Sequence, residues 1–240
     1  YKLMKQLILS LIIFFSFGAI AQKEKPMNYR KFDKRLFHFG FMLGANTSSY
    51  TITPKKDAFQ TYGLKSLSVN SQPGAQLGIL TTLRCGTPMV RLRLLPSLSF
   101  QERIIHQVFV DPLDITQEII NDERVHSTNI DIPLLFQFRT LRYNNFTAYC
   151  MVGGQFTVDL QSQQNATQKF DDPFIKMKKF DYLGQVGGGI EFFAPFFKFS
   201  LEIKYSHSFV NGFIQDNTRV SSPINKIYNS GWVFSLIFEG

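Results

Sequence analysis

Residues 130–138 read Ile130-Asp131-Ile132-Pro133-Leu134-Leu135-Phe136-Gln137-Phe138. Every even position is a large apolar side chain, while Asp131, Pro133 and Gln137 fall on odd ones. A period of two sends successive side chains to opposite faces of an extended chain, so this is a strand with one apolar face. Arg139 prolongs the alternation on the polar side. Pro133 lacks a donor for the ladder, and a bulge is expected there.

The same period recurs along the chain. Phe37, Phe39, Phe41 and Leu43 alternate with His38, Gly40, Met42 and Gly44, and Leu77, Ile79, Thr81 and Leu83 with Gln76, Gly78, Leu80 and Thr82. Val90, Leu92, Leu94, Leu98 and Phe100 oppose Arg91, Arg93, Leu95, Ser97 and Ser99. Residues 146–160 and 181–193 continue the series, the second with Tyr182, Val186, Ile190 and Phe192 against Asp181, Gln185, Gly187, Gly189 and Glu191. Phe199, Leu201, Ile203 and Tyr205 alternate with Lys198, Ser200, Glu202 and Lys204, and Trp232, Phe234, Leu236 and Phe238 define a last strand. The result is eight strands.

Their connections decide the architecture. Short turns at 85–88, 140–145 and 194–196 alternate with long segments at 48–73, 102–126, 161–179 and 210–227. An all-β, eight-stranded antiparallel up-and-down transmembrane β-barrel produces that rhythm, with both termini at the short-turn end. Strands of about ten residues match the tilted crossing of a bilayer. The charged positions Arg91, Arg93, Asp131, Arg139, Asp181, Glu191, Glu202 and Lys204 all lie opposite the apolar stripe. An eight-stranded interior is just wide enough to be filled by side chains, so these eight are expected to form a lumenal charge network that plugs the barrel. Glycines 153, 154, 184, 187, 188 and 189 make room for large neighbours. A phosphate-cradling loop at 187–189 would need a following Lys-Ser/Thr and a strand-to-helix turn, and has neither.

Composition agrees. The 240 residues suit one domain, and 44% hydrophobic with 18% charged residues excludes a helical polytopic protein and a disordered tail. The 26 Phe and 9 Tyr suit strands and membrane girdles. Met4-Lys5, an apolar run at 7–17 and Ala19-Ile20-Ala21 make residues 1–21 a secretory signal peptide. Removing Lys2 and Lys5 with it lowers the formal charge of +8 by two, to +6. Residues 22–35 follow as a basic periplasmic leader, with Lys23, Lys25, Arg30, Lys31, Lys34 and Arg35, read as a solvated, flexible arm. The barrel occupies 36–240. Cys85 and Cys150 fall on non-adjacent strands and are read as free thiols.

No catalytic, cofactor or metal site is expected. His38, His106, His126 and His207 lack metal-ligand spacing. Asp111, Asp114, Glu118, Asp122 and Glu123 make one long segment acidic, a solvated face by default and at most a weak calcium site. Ser206-His207-Ser208 invites a hydrolase reading, with His207 on the lipid face near the outer end of its strand.

Four strands also resemble a known group. Ile130-Asp131-Ile132-Pro133-Leu134-Leu135 is similar to a characteristic strand of the PorT-type outer-membrane barrels. So are the stretch from Phe180-Asp181 to Ile190-Glu191 with its glycines, and Leu201-Glu202-Ile203-Lys204-Tyr205 after it. Tyr149-Cys150-Met151-Val152-Gly153 departs in having Ala148 where proline is common. The resemblance spans about 37–238 and implies a non-enzymatic component of the type IX protein secretion machinery in the bacterial outer membrane, with no catalytic residues to carry over. Its partners would be outer-membrane lipid and other membrane proteins of that machinery, with neither nucleic acid nor a small-molecule substrate. A lipid-modifying enzyme, such as a lipid A hydrolase, is the alternative.

Overall fold

The computed structural model describes residues 26–30, 32–110, 117–164 and 174–240. The signal segment, residues 22–25, Asp111 and Asp114 lie outside the described residues. The strands are β1 (Phe37–Pro54), β2 (Leu64–Ser71), β3 (Pro73–Arg84), β4 (Val90–Leu94), β5 (Ser97–Val110), β6 (Glu118–Arg139), β7 (Phe146–Asp159), β8 (Lys176–Met177), β9 (Phe180–Phe193), β10 (Lys198–Ser208), β11 (Phe213–Ile214) and β12 (Ile224–Glu239). One helical turn, α1 (Ala58–Thr61), and a 3-10 turn at Phe32–Lys34 complete the set.

Ten of these strands form eight staves. β2 and β3 are one stave interrupted at Gln72, and β4 and β5 are another interrupted at Leu95-Pro96. Every pairing is antiparallel, and the order β1-β12-β10-β9-β7-β6 runs on through β4/β5 and β3/β2 back to β1. The ring is closed, so within it no backbone edge faces lipid.

Parity separates the faces as the sequence requires. Ile132, Leu134 and Phe136 stand outward at 39–48% exposure, while Arg91, Arg93, Gln137 and Glu191 on the opposite parity are fully buried. On β6 the outward apolar run extends from Ile130 to Phe138, and with its flanking positions covers about ten residues. At ~3.3 Å per residue and a tilt near 40° that is a belt about 25 Å tall. Aromatic rings bound it at both ends. Phe146 and Phe192 meet at 5.6 Å, and Phe199 and Phe238 at 5.3 Å, at the short-turn end. Tyr205 and Trp232 at 4.9 Å, and Phe156 and Tyr182 at 5.2 Å, mark the other.

Two of the expected long loops turn out to be mostly strand. β5 and β6 remain paired from Ser97↔Asp131 out to Val110↔Glu118, and β2 stays paired to β5. Alternation weakens there because, beyond the belt, the outward face turns polar with Glu102, His106, Asp122 and His126 in place of lipid-facing apolar residues. Inside this extension a second core forms from Tyr50, Ile105, Ile175, Phe213, Val220, Ile224 and Ile227. It fills the long-loop mouth, where β8 and β11 pair across Phe213↔Met177.

The expected bulge at Pro133 is absent. The β6–β7 register runs through Pro133↔Gln155 without a shift. The interruption lies instead on the neighbouring stave at Leu95-Pro96, where the Leu95 N–H still donates to the Pro133 carbonyl at 3.2 Å and the Ile79 N–H to that of Pro96 at 3.0 Å. Missing proline donors cost single ladder bonds, and the neighbours on both sides hold the register.

Leu134→Arg, in the belt, should lower stability by about 2–4 kcal/mol, whereas Ile120→Arg, outward but beyond the belt, should cost under ~1 kcal/mol. Reversible urea unfolding in lipid vesicles checks the contrast.

Candidate functional site

The lumen is the most elaborately built part of the molecule. Lys204 Nζ bonds Glu202 Oε1 at 2.8 Å, and Glu202 Oε2 takes Arg93 Nη1 at 2.6 Å. Arg93 Nη2 reaches Glu239 Oε1 at 3.1 Å, and the same oxygen meets Lys198 Nζ at 2.7 Å. Lys198 also bonds Glu191 at 2.7 Å, Glu191 bonds Arg139 at 2.6 Å, and Arg139 bonds Asp33 at 3.2 Å. Asp33 then holds Arg91 at 3.1 Å and Arg142 at 3.5 Å. Signs alternate along the whole chain of contacts. Alternation matters because a buried charge left alone costs several kcal/mol.

Neutral groups orient the charges. Tyr149 Oη donates to Glu202 at 2.7 Å, while Gln137 accepts from Arg93 at 3.2 Å and donates to Glu191 at 3.1 Å. Two glycines leave the necessary room. A Cβ on Gly189 would stand 2.6 Å from Tyr149 Oη, and one on Gly187 would stand 2.9 Å from Lys204 Cγ.

The short-turn end is closed by the chain's own leader. Phe32 is fully buried, its ring 3.8 Å from that of His38 and 5.6 Å from that of Phe193. Arg91 and Lys198 lie over its face at 4.9 and 4.7 Å. His38 Nε2 is bonded to the Phe32 carbonyl at 2.7 Å, and Asn28 N–H donates to Asn145 at 2.8 Å. The expected flexible arm is, over 26–30 and 32–35, a plug. A basic stretch gives no sign that its Phe32 and Asp33 will find a hole of matching shape.

Six of the eight expected network residues come together: Arg91, Arg93, Arg139, Glu191, Glu202 and Lys204. Asp131 and Asp181 do not. Both sit toward the long-loop half, where Asp131 accepts from Thr157 Oγ1 at 2.7 Å and Gln76 at 3.3 Å, and Asp181 accepts from Ser208 Oγ. Facing the lumen was legible from parity, but height along the barrel axis was not. Lys198 and Glu239 belong to the network although only parity announces them, and Glu239 continues the alternation past Phe238. Asp33 carried no signal. Arg103, expected in a loop, is buried, its guanidinium 4.3 Å from the Tyr50 ring and donating to Ser48, Tyr50 and Ser127. Around Asn46, Gln76, Asn129 and Asp131 the lumen keeps a cavity of about 20 Å³, room for one water and not for a pore.

Ser206-His207-Ser208 is divided by the pleat. Ser206 and Ser208 are buried in the lumen, whereas His207 faces outward beside Tyr205 and Tyr228 at 6.5 and 6.2 Å. A serine and histidine on opposite faces of one strand cannot share a proton. Asp122 pairs with His106, Glu118 with Lys65, and Glu123 accepts the Ile175 N–H at 2.7 Å, so these three described acids do not converge. Among the described residues no three His, Cys, Asp or Glu gather as a metal site. Cys85 and Cys150 are free.

A closed ring, a girdled apolar belt and an ion-paired filled lumen define a transmembrane barrel of the outer-membrane type. Residues 20–213 match the outer membrane protein beta-barrel domain, and the chain belongs to that family. The outer membrane protein OprG from Pseudomonas aeruginosa is similar over 85% of this chain and 93% of its own, at 14% identity and a TM-score of 0.46. Neisserial surface protein A is similar over 83% of this chain and 95% of its own, at 7% identity and a TM-score of 0.42. No curated protein matches the sequence.

Glu239→Gln leaves Arg93 and Lys198 short of a carboxylate and should destabilise the barrel by about 3–5 kcal/mol. Lys65→Ala, breaking an exposed pair, should cost under ~1 kcal/mol. Unfolding of the two variants under one set of conditions checks the difference.

Proposed function

We propose that this outer-membrane barrel is a non-enzymatic component of the type IX protein secretion machinery that works by binding protein partners. The observation that carries the partner-binding half is the sealed lumen: a plug below, the continuous ion-pair chain above it, and an apolar core in the opposite mouth. An eight-stranded wall around a filled interior passes neither solute nor folded protein. What remains available is surface: the extended β2-β5-β6 sheet, the lipid-facing wall and the short-turn rim. In this reading both termini are periplasmic, and the partners are other membrane proteins of the machinery and the surrounding lipid. The secretion half rests on the strand motifs at 130–138, 180–191 and 201–205.

The lipid A hydrolase alternative loses its candidate residues to the separation of His207 from Ser206 and Ser208.

Deleting the gene should abolish surface delivery of proteins bearing the type IX sorting signal while other outer-membrane proteins still assemble, and the triple variant S206A/H207A/S208A should secrete normally. Secretion intact in the deletion strain, or a lipid A modification lost in the triple variant, would refute this. Purified protein in planar bilayers should give no stable channels, and a steady unitary conductance would contradict the sealed lumen.

A further inference from the structure

Four arginines converge on Asp33. Arg91, Arg139 and Arg142 bond its carboxylate, and Arg84 Nη1 donates to its carbonyl oxygen at 2.8 Å. Glu191 is shared with Arg139, but among the described residues Arg91 and Arg142 form no second ion pair and Arg84 forms none. Donors are left over. Arg84 Nε, Arg91 Nε and Nη1, and Arg139 Nε are buried without an acceptor, which is costly for groups that only donate. Among the described residues, cations outnumber carboxylates along the connected ion-pair chain: Lys204, Arg93, Lys198, Arg139, Arg91 and Arg142 exceed Glu202, Glu239, Glu191 and Asp33 by two.

The segment that supplies Asp33 has otherwise the wrong sign. Arg30, Lys34 and Arg35 stand beside it in sequence, so the flanks repel the arginines that the carboxylate attracts. Two side chains enter the mouth, Phe32 against His38 and Phe193 beneath two cations and Asp33 next to it, while Asn28 ties the segment to the rim through Asn145 and the Phe193 carbonyl. Ring faces suit cations, and guanidinium groups suit carboxylates. A ligand with the same aromatic–acidic pair, and acids in place of the flanking cations, would fit better than the plug does.

The geometry points to a recognition site at the short-turn mouth for an aromatic–acidic dipeptide within an acidic segment of a partner protein, held in cis by Phe32 and Asp33. This deepens the partner-binding reading, resting on it only for a partner's presence at this end of the barrel.

The probe is a capped hexapeptide, Glu-Gly-Phe-Asp-Gly-Glu, titrated by calorimetry against the full chain in detergent. The double variant F32A/D33N, which empties the site, should bind it at least about tenfold more tightly than the wild type, because the peptide no longer has to displace the plug. Replacing the peptide's Asp by Asn, or adding R142Q to the double variant, should weaken binding by about tenfold or more. Equal affinity for wild type and double variant, or for the Asp and Asn peptides, overturns the proposal.

If the double variant does not refold to the heat-modifiable form, hydrogen exchange of the wild type serves instead. A large excess of peptide should raise deuterium uptake across residues 26–35, and unchanged uptake overturns the proposal. Peptide binding as described, together with normal secretion in a deletion strain, would sink the secretion reading and leave the site standing.

Discussion

The barrel depends on matching buried charge. Arg93 is wholly enclosed, and it is held by Glu202 at 2.6 Å and Glu239 at 3.1 Å. A guanidinium in that position without carboxylates would cost more than most domains have to spare. Glu202 and Glu239 come from β10 and β12, and Arg93 from β4 on the far side of the lumen. The contact therefore exists only when the sheet has curled and closed. Charge satisfaction and ring closure are one event, which ties the sealing of the lumen to the folding of the wall.

That coupling explains why small residues line one stave. Gly187 and Gly189 on β9 leave the space that Lys204 and Tyr149 occupy, and Tyr149 then donates to Glu202. The wall is thinned where the contents are thickest. The same logic runs into the leader, whose Phe32 completes the apolar lining at the mouth and whose Asp33 extends the alternation of sign. In the long-loop half the contents change character: Arg103 is met by hydroxyls and amides, Asp131 by a hydroxyl and an amide, and the mouth above by an apolar core. The barrel is closed by three different chemistries at three heights.

Such a construction leaves its accessible polar groups at the surfaces. Within the wall, polar chemistry points inward and is engaged by ion pairs, hydroxyls and amides, while the outward belt is apolar. The exposed polar positions lie beyond the belt on β2, β5 and β6 and at the short-turn rim, which are the places a protein partner can reach.

Period-two alternation settled much of this architecture from the chain alone. Because a strand's side chains alternate strictly, Ile132 and Leu134 had to oppose Asp131, and Arg91 and Arg93 had to face away from lipid. Strand count, face assignment and the three short turns followed. Parity fixes a face and nothing more. Which cation meets which carboxylate depends on stagger around the ring, so Asp131 and Asp181 fall outside a network that includes Lys198 and Glu239. The extent of β5 and β6 was hidden because solvent, unlike lipid, imposes no apolar face on the emerging hairpin. The plug was invisible for a different reason: Phe32 and Asp33 belong to no periodic element, and their place is set by the hole that eight staves leave when they close.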